Sequence, residues 1–432
     1  MRYRFSSIGL SQPLVNVLND LKIYELTDIQ EKSIPVLLKS KQDFIGLAPT
    51  GTGKTLAYVL PLLEKIDQAD KRPQALILAP TRELAQQIAD QITVLCAEIP
   101  AVTCVTLHGG SGSLKAQIKM VKQDAQIIVA TPGRFVDIME RGEMNVKELT
   151  YIVLDEADEM LSLSFKEPLD KILSEVKPER TVWLFSATMP KEVQQLTKKF
   201  LRKDRNEVIL NELDEQKKLK IQHHYLIVDP IDKLNTLVHF LQQHEGERGI
   251  IFCRTKAGVQ KMVKHLLMNR LSVGGLHGDL PQGIRDKIMD QFREKHTQYL
   301  IATDIASRGI DVDDLSFVIQ YQLPDSPEFY THRSGRTGRA GKKGMSLTFV
   351  FQEEEKQLRL IEQQLKMEFI AYEKPTATNL EESNLLLWSN RIMKTKMIEI
   401  DPEIRKKITS NFADLNKAQL IDRLISDQLV MG

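Results

Sequence analysis

Between Asp43 and Leu210, short apolar β-rich runs alternate with stretches whose apolar residues recur at helical spacing. The runs are DFIGLA, ALILAP, AVTCVTL, QIIVAT, YIVLDE, TVWLFSAT and EVIL. Such alternation is the sequence mark of a parallel sheet with helices on both faces, since parallel strands are joined by helix-length crossovers. The polar stretch NELDEQKKLK, Asn211–Lys220, breaks the pattern and reads as a linker. A second series follows: HHYLIV, GIIFC, VGGLHG, YLIATD, FVIQY and SLTFV. It fades near Tyr372, after the helical segment EEEKQLRLIEQQLKM. The pattern predicts an α/β chain of two tandem parallel-sheet domains, 1–210 and 221–372, joined by the linker 211–220 and followed by a small helical extension over 376–432. Two such domains leave a cleft between them, a favoured place for a ligand.

A chain of 432 residues exceeds one ordinary core, in keeping with that division. A formal net charge of +1 argues against a strong, non-specific polyanion binder, so any grip on a nucleic acid has to be local. Cys96, Cys104 and Cys253 sit at no metal-ligand or disulfide spacing, which points to a reducing compartment. MRYRFSSIGL lacks the apolar core of a signal peptide, and no apolar stretch is long enough to span a bilayer. No membrane is expected, and the cytoplasm is the expected location.

Ala48-Pro49-Thr50-Gly51-Thr52-Gly53-Lys54-Thr55 follows the apolar run Phe44–Leu47 and opens a helical stretch. That is the setting of a phosphate-binding loop, with Ala where the usual pattern opens on Gly. Glycines let backbone N–H groups converge on phosphate oxygens, and the following helix presents its positive end. Lys54 would hold the terminal phosphates and the Thr55 hydroxyl would ligate Mg2+. The bland alternative is a Gly/Thr-rich turn before a helix. Further on, Val153-Leu154 leads into Asp155-Glu156-Ala157-Asp158. Asp155 can bind Mg2+ through water, and Glu156 can orient or deprotonate an attacking water. An acidic helix N-terminus is the competing reading, and the phosphate loop argues against it.

Asp-Glu-Ala-Asp resembles the signature of the DEAD-box family of RNA helicases, and the family's other motifs follow in order. Pro80-Thr81-Arg82-Glu83-Leu84, Gly109-Gly110 and Thr131-Pro132-Gly133-Arg134 are similar to three RNA-facing loops, and Ser186-Ala187-Thr188 to the motif that couples hydrolysis to unwinding. Ile251–Thr255, Gln282 to Arg285, Ala302–Asp311 and His332–Arg339 match the motifs of the second domain. The resemblance runs from about Phe5 to Leu365. It implies two RecA-like domains, ATP and Mg2+ as cofactors, RNA as partner, and an RNA-stimulated ATPase that locally unwinds short duplexes as the domains close.

Carried over position by position, the resemblance puts Thr50, Gly51, Thr52, Gly53, Lys54, Thr55 and Asp311 on ATP, with Thr55 and Asp155 on the metal. Lys54, Glu156, Arg336 and Arg339 become the catalytic set. Asp158, Ser186, Thr188, His332 and Arg333 become the coupling set. RNA would be held by Thr81, Arg82, Gly110, Thr131, Gly133 and Arg134 of the first domain and Arg254, Thr255, Thr303, Arg308 and Gly309 of the second. These are hydroxyls, guanidiniums and accessible N–H groups, suited to sugars and phosphates, so binding largely independent of sequence is expected. Gln30 in Leu26–Gln30 is similar to the family's adenine-reading glutamine, whose amide can both donate and accept. Phe5 suits stacking on the base, with a core aromatic as the alternative. This segment departs from the family pattern at Lys22-Ile23, Leu26 and Asp28.

Two rival functions stand beside the helicase: a DNA-directed translocase on the same scaffold, and an ATP-dependent RNA clamp that unwinds little. Beyond the resemblance, Thr378 with Glu381 reads as a capping box opening a helix with Leu385, Trp388 and Ile392. Asp401-Pro402 starts a second helix, with Ile404, Ile408 and Phe412 on one face. Asn416 with Gln419 caps a third, whose stripe includes Leu420, Ile421, Leu424 and Leu429. Three short helices cannot bury three apolar faces by themselves. A homodimerisation module is expected, similar to the extension of some bacterial members; packing back onto the second domain is the alternative.

Overall fold

A computed structural model of the protein describes residues 4–99, 101–110, 113–123, 125–162, 165–210, 221–304, 315–324, 327–338, 343–376 and 399–431, with a few isolated positions between 378 and 395. Its strands form two seven-stranded sheets. The first contains β1 (Phe44–Leu47), β2 (Ala75–Leu78), β3 (Cys104–Leu107), β4 (Ile127–Ala130), β5 (Tyr151–Leu154), β6 (Thr181–Ser186) and β7 (Asn206–Ile209). The second contains β8 (Ile221–Ile227), β9 (Gly249–Phe252), β10 (Val273–Leu276), β11 (Tyr299–Ala302), β12 (Phe317–Gln320), β13 (Gly344–Val350) and β14 (Phe369–Ala371). The orders are β3-β4-β2-β5-β6-β1-β7 and β10-β11-β9-β12-β13-β8-β14. Every pairing is parallel.

Both faces of each sheet are covered, which is why the central strands are apolar throughout instead of alternating. In the first body, Ile77, Val129, Val153, Trp183 and Phe185 pack on one face. Their sequence neighbours Leu78, Ile128, Ile152 and Leu184 pack on the other. Successive side chains of a strand point to opposite sides, so one run feeds two cores. Ile251, Ile301 and Ile319 repeat this against Ile250, Leu300 and Val318 in the second body. The edge strand β7 alternates partly buried with exposed positions, as an edge should. β14 was not among the apolar runs. Three residues at a sheet edge carry too short a pattern to stand out.

The C-terminal segment keeps two of its expected caps. Asp401 accepts from the N–H groups of Glu403 (2.9 Å) and Ile404 (3.2 Å), opening the helix Pro402–Ser410. Asn416 and Gln419 cap reciprocally, at 3.0 and 2.9 Å, before the helix Lys417–Met431. The first cap is corrected: Thr376 pairs with Asn379, each backbone N–H donating to the other's side chain. Thr376 and Thr378 offer the same hydroxyl, and the asparagine three residues on favours the earlier one. Most of the expected first helix lies outside the described residues. The apolar faces of the other two stay open, with Ile404 53% and Leu424 41% exposed. Packing back onto the second body is therefore not what these helices do. No helix among the described residues is long and apolar enough to cross a membrane.

Candidate active site and nucleic-acid interface

In a parallel sheet, ligand-binding loops lie beyond the carboxyl ends of the strands. In the first sheet the loops after β1, β5 and β6 carry Ala48–Thr55, Asp155–Asp158 and Ser186–Thr188, and these strands are neighbours. The loops after β3, β4 and β2 carry Gly109-Gly110, Thr131–Arg134 and Thr81-Arg82, and these strands are neighbours too. One sheet edge is thus divided into two adjoining halves, one suited to a nucleotide and one to a sugar–phosphate chain.

The nucleotide half is built on left-handed backbone. Gly51 and Gly53 have φ of 76° and 85°, and Gly53 caps the helix Lys54–Lys65. A Cβ at Gly53 would also lie 2.4 Å from Nε2 of Gln30, so a side chain here would be strained by its φ and would displace the Gln30 amide. Lys54 Nζ donates to the carbonyls of Ala48 (2.6 Å) and Pro49 (3.2 Å), curled over the loop where phosphate oxygens would compete for it. The Thr52 hydroxyl donates to the Pro49 carbonyl at 2.8 Å. Gln30 joins this loop from the side. Its Nε2 donates to the Gly53 carbonyl (3.0 Å), and its Oε1 accepts from the N–H of Thr27 (3.0 Å). A second hydrogen and a second lone pair remain on that amide for a base edge.

Asp155 is buried, and its two oxygens are held separately. Oδ2 accepts from the Tyr58 hydroxyl at 2.7 Å and Oδ1 from the N–H of Glu156 at 2.9 Å. Burial raises its pKa, against the Tyr58 hydrogen bond and the Lys54 charge. Glu156 stands at φ 49°, a conformation a non-glycine residue adopts only under constraint. Burial, then the charges of Glu159 and Asp155, lift its carboxyl to about 7, while Arg336 and Lys54 pull the other way. A carboxylate poised there can accept a proton near neutral pH. The described residues contain no cluster of three or more metal-binding side chains. The donor set fits a Mg2+ ion held by one carboxylate, the Thr55 hydroxyl, water and substrate phosphates, which is how that ion usually sits.

In the other half Thr81 caps the helix Arg82–Leu95, its Oγ1 accepting from the N–H of Leu84 (3.2 Å). The Arg82 guanidinium lies on Gly109-Gly110, so close that a Cβ on Gly110 would be 2.4 Å from Nη1. Thr131 caps Pro132–Glu140, and the space beside Gly133 is open for 4 Å. In the second body Thr255 caps Lys256–Met268 through the N–H of Gly258 (3.1 Å), repeating Thr81. Arg254 is exposed and donates to the Leu323 carbonyl at 3.1 Å. Thr303 closes β11, its N–H on the Leu276 carbonyl.

The two bodies touch at both halves. Arg285 pairs with Glu83 at 2.9 Å, and Gln282 bridges Arg82 and Glu83 at 3.3 Å each. On the nucleotide side His332 Nδ1 meets Glu159 at 2.6 Å, and its Nε2 lies 3.8 Å from Asp158. Asp158 accepts from both the N–H (2.9 Å) and the hydroxyl (2.7 Å) of Thr188, and its own N–H donates to Ser186 Oγ. Burial opposes its charge, but His332, Lys54 and those hydrogen bonds overcome it and lower its pKa. Beside this contact Pro49 and Thr50 face Thr331, Ser334 and Gly335 across a narrow open cleft.

The DEAD/DEAH box helicase family profile matches residues 27–196, and the helicase conserved C-terminal domain profile matches 232–341. The ATP-dependent RNA helicase CshA of Listeria monocytogenes is 40% identical over 373 residues, 86% of this chain and 71% of that protein. The chain belongs to the DEAD-box family of ATP-dependent RNA helicases. The Bacillus subtilis DEAD-box ATP-dependent RNA helicase CshA is 36% identical over 395 residues, 91% of this chain and 79% of that one. Among solved structures, S. cerevisiae Dbp5 bound to RNA and ADP BeF3 superposes with a TM-score of 0.78 at 30% identity, covering 89% of this chain and 99% of that one. Mss116p bound to single-stranded RNA and AMP-PNP gives 0.77 at 25%, covering 97% and 88%.

Within this DEAD-box helicase several expected residues take other places. Phe5 is 3% exposed and belongs to the apolar core cluster that includes Leu14 and Leu18, in keeping with the core-aromatic alternative. Arg333 does not cross the cleft. It forms a two-point pair with Asp304 (2.6 and 2.7 Å) and lies over the Phe252 ring, bracing the second body. Gln282 and Arg285 reach the first body's Arg82 and Glu83, so this second-domain motif makes a contact between the bodies. Arg308, Gly309, Asp311 and Arg339 lie outside the described residues. Tyr58 and Glu159 enter the site unannounced, and Glu83 and Asp304, which lie within the quoted motifs, gain partners that no assignment had given them. Glu159 directly follows the DEAD tetrapeptide, the one adjacency that could have flagged it.

Proposed function

We propose that the two bodies, residues 1–210 and 221–372 with 211–220 as linker, close around ATP and RNA together, so that hydrolysis requires both. The cross-cleft contact of His332 with Glu159 and Asp158 carries this reading. It joins the body that bears the phosphate loop to the one that bears Arg336. Lys54, Thr50, the backbone of Gly51–Gly53 and Thr55 bind the phosphates, while Gln30 orients the adenine. Thr55 and Asp155 hold Mg2+, which when bound neutralises phosphate charge. Glu156 takes the proton of the attacking water. Arg336, whose charge already acts on Glu156, faces the charge that grows on the γ-phosphoryl group. Arg339 is assigned the same task on the motif alone.

RNA is assigned to the other half of the edge. Thr81, Thr131 and Thr255 stand at helix N-termini, where N–H groups and the helix dipole favour phosphates. Gly110, Gly133, Arg134, Arg254 and Thr303 complete the track. Arg82, which bridges Gly110 and Gln282, couples RNA to closure. Such a track distorts one strand and releases the other locally. A clamp that holds RNA without releasing a partner strand would use the same residues. Duplex release measured beside RNA retention with an ATP analogue separates the two: ATP-dependent duplex release would support the helicase reading, and retention without release would favour the clamp. A cytoplasmic setting follows from that substrate. The open faces of Ile404, Ile408 and Leu424 are assigned to a homodimer. Light scattering should give a dimer for the full chain and a monomer for a truncation ending at Pro375.

A further inference from the structure

The Glu159–His332 pair marks closure and has been given no role of its own, yet it is a 2.6 Å charged contact between the two nucleotide-facing loops. Both side chains are nearly enclosed, at 7% and 12% exposure. A carboxylate enclosed to that degree is unfavourable unless paired, and its partner comes from the other body. Glu159 is also held in place from behind. Its N–H donates to Asp158 Oδ1 (3.1 Å), and the Asp158 N–H donates to Ser186 Oγ (3.2 Å).

We propose that Glu159 is a positioning residue that latches His332, and with it the helix Pro327–Ser334, onto the first body on closure, thereby setting Arg336 against Glu156. Arg336 follows that helix by two residues, its N–H on the Arg333 carbonyl at 3.1 Å, so fixing His332 fixes the arginine's approach. The inference rests on the closure reading.

The groups facing the ring are Glu159, Asp158 and Glu156 of the first body, with the Thr188 hydroxyl on Asp158. Lys54 and Arg336 are the cations that act on Glu156, and Arg333 is turned away onto Asp304. Nδ1 is within hydrogen-bond reach of Glu159, whereas Nε2 faces Asp158 at 3.8 Å, beyond a hydrogen bond, so protonating the ring strengthens the latch by adding charge attraction to both carboxylates. Burial lowers the His332 pKa, but Glu159, Asp158 and Glu156 outweigh it and raise the net value. In an open cleft the ring would titrate near its ordinary ~6.5. The latch is therefore fully present below about 6.5 and is lost as pH rises through the closed-state pKa.

The test is the affinity of the full chain for a fluorescent single-stranded RNA, with and without ADP–beryllium fluoride. Glu159→Ala should weaken binding with the analogue about tenfold or more, as expected for truncating one side of a desolvated charge pair, and change nucleotide-free binding less than about twofold. Glu159→Gln keeps an acceptor, so it should recover part of the loss while flattening the wild type's decline as pH rises above about 6.5. Glu159→Ala with His332→Ala should lose no more than the worse single variant. Equal loss with and without the analogue, an unchanged analogue-bound affinity, or additive losses would overturn the proposal. A wild-type protein that gains nothing from the analogue would instead overturn the closure reading on which it rests.

Discussion

The two sheets are built to one plan and equipped differently. The order β3-β4-β2-β5-β6-β1-β7 recurs strand for strand as β10-β11-β9-β12-β13-β8-β14. After the equivalent strands β2 and β9 stand Thr81 and Thr255, each capping a helix through the N–H three residues on. After β1, however, comes a glycine loop and a helix, whereas the equivalent β8 runs into Val228-Asp229-Pro230, where no N–H nest can form. After β5 come Asp155 and Glu156, whereas the equivalent β12 leads through Leu323 and Pro324 to the helix that carries His332. The halves assigned to RNA share this cap; the halves assigned to the nucleotide differ and face one another. A repeated scaffold can thus offer two like surfaces to a repeating polymer while splitting one reaction between its copies.

The largest expected effect breaks the first body's half. Lys54→Ala should abolish nucleotide binding and turnover. Glu156→Gln should abolish turnover while retaining ATP and RNA, read by filter binding beside phosphate release. Next comes the second body's half: Arg336→Ala should lower RNA-stimulated turnover about 10³-fold, the scale of an arginine finger, and leave nucleotide affinity without RNA unchanged. A smaller effect sharpens the role of Gln30. ATP should be turned over in preference to GTP, and Gln30→Ala should erase the preference in a competition assay.

The smallest effect is one of stability. Glu156 titrates at about 7 in the folded chain against an unfolded value near ~4.3, so its ionisation costs stability progressively across that interval. Glu156→Gln should raise the melting temperature at pH 8 and leave it unchanged at pH 4. Turnover of the wild type should fall as pH drops below about 7, where this base becomes protonated.

Local patterns were enough for the first thirteen strands, because each is a run of apolar residues bounded by turn or helix signals. The loops were legible because glycine, threonine and acid at fixed spacing have few other uses. What stayed hidden depends on distant partners. The Tyr58 hydroxyl reads as part of an apolar helix until Asp155, 97 positions away, is seen to accept from it. Arg333 shares a motif with His332, but adjacent helical positions face different ways, so one crosses the cleft and the other turns inward to Asp304. Phe5 was legible as an important aromatic, yet only the fold shows that it lies buried in the core of the first body.

The central claim is that ATP and RNA are bound by one closed arrangement of two bodies. Linkage then demands that each ligand tighten the other by the same factor. The direct measurement is a thermodynamic square on the full chain: RNA affinity with and without ADP–beryllium fluoride, and affinity for that analogue with and without RNA. Equal enhancements of about tenfold or more are predicted. RNA affinity indifferent to the nucleotide would contradict the account.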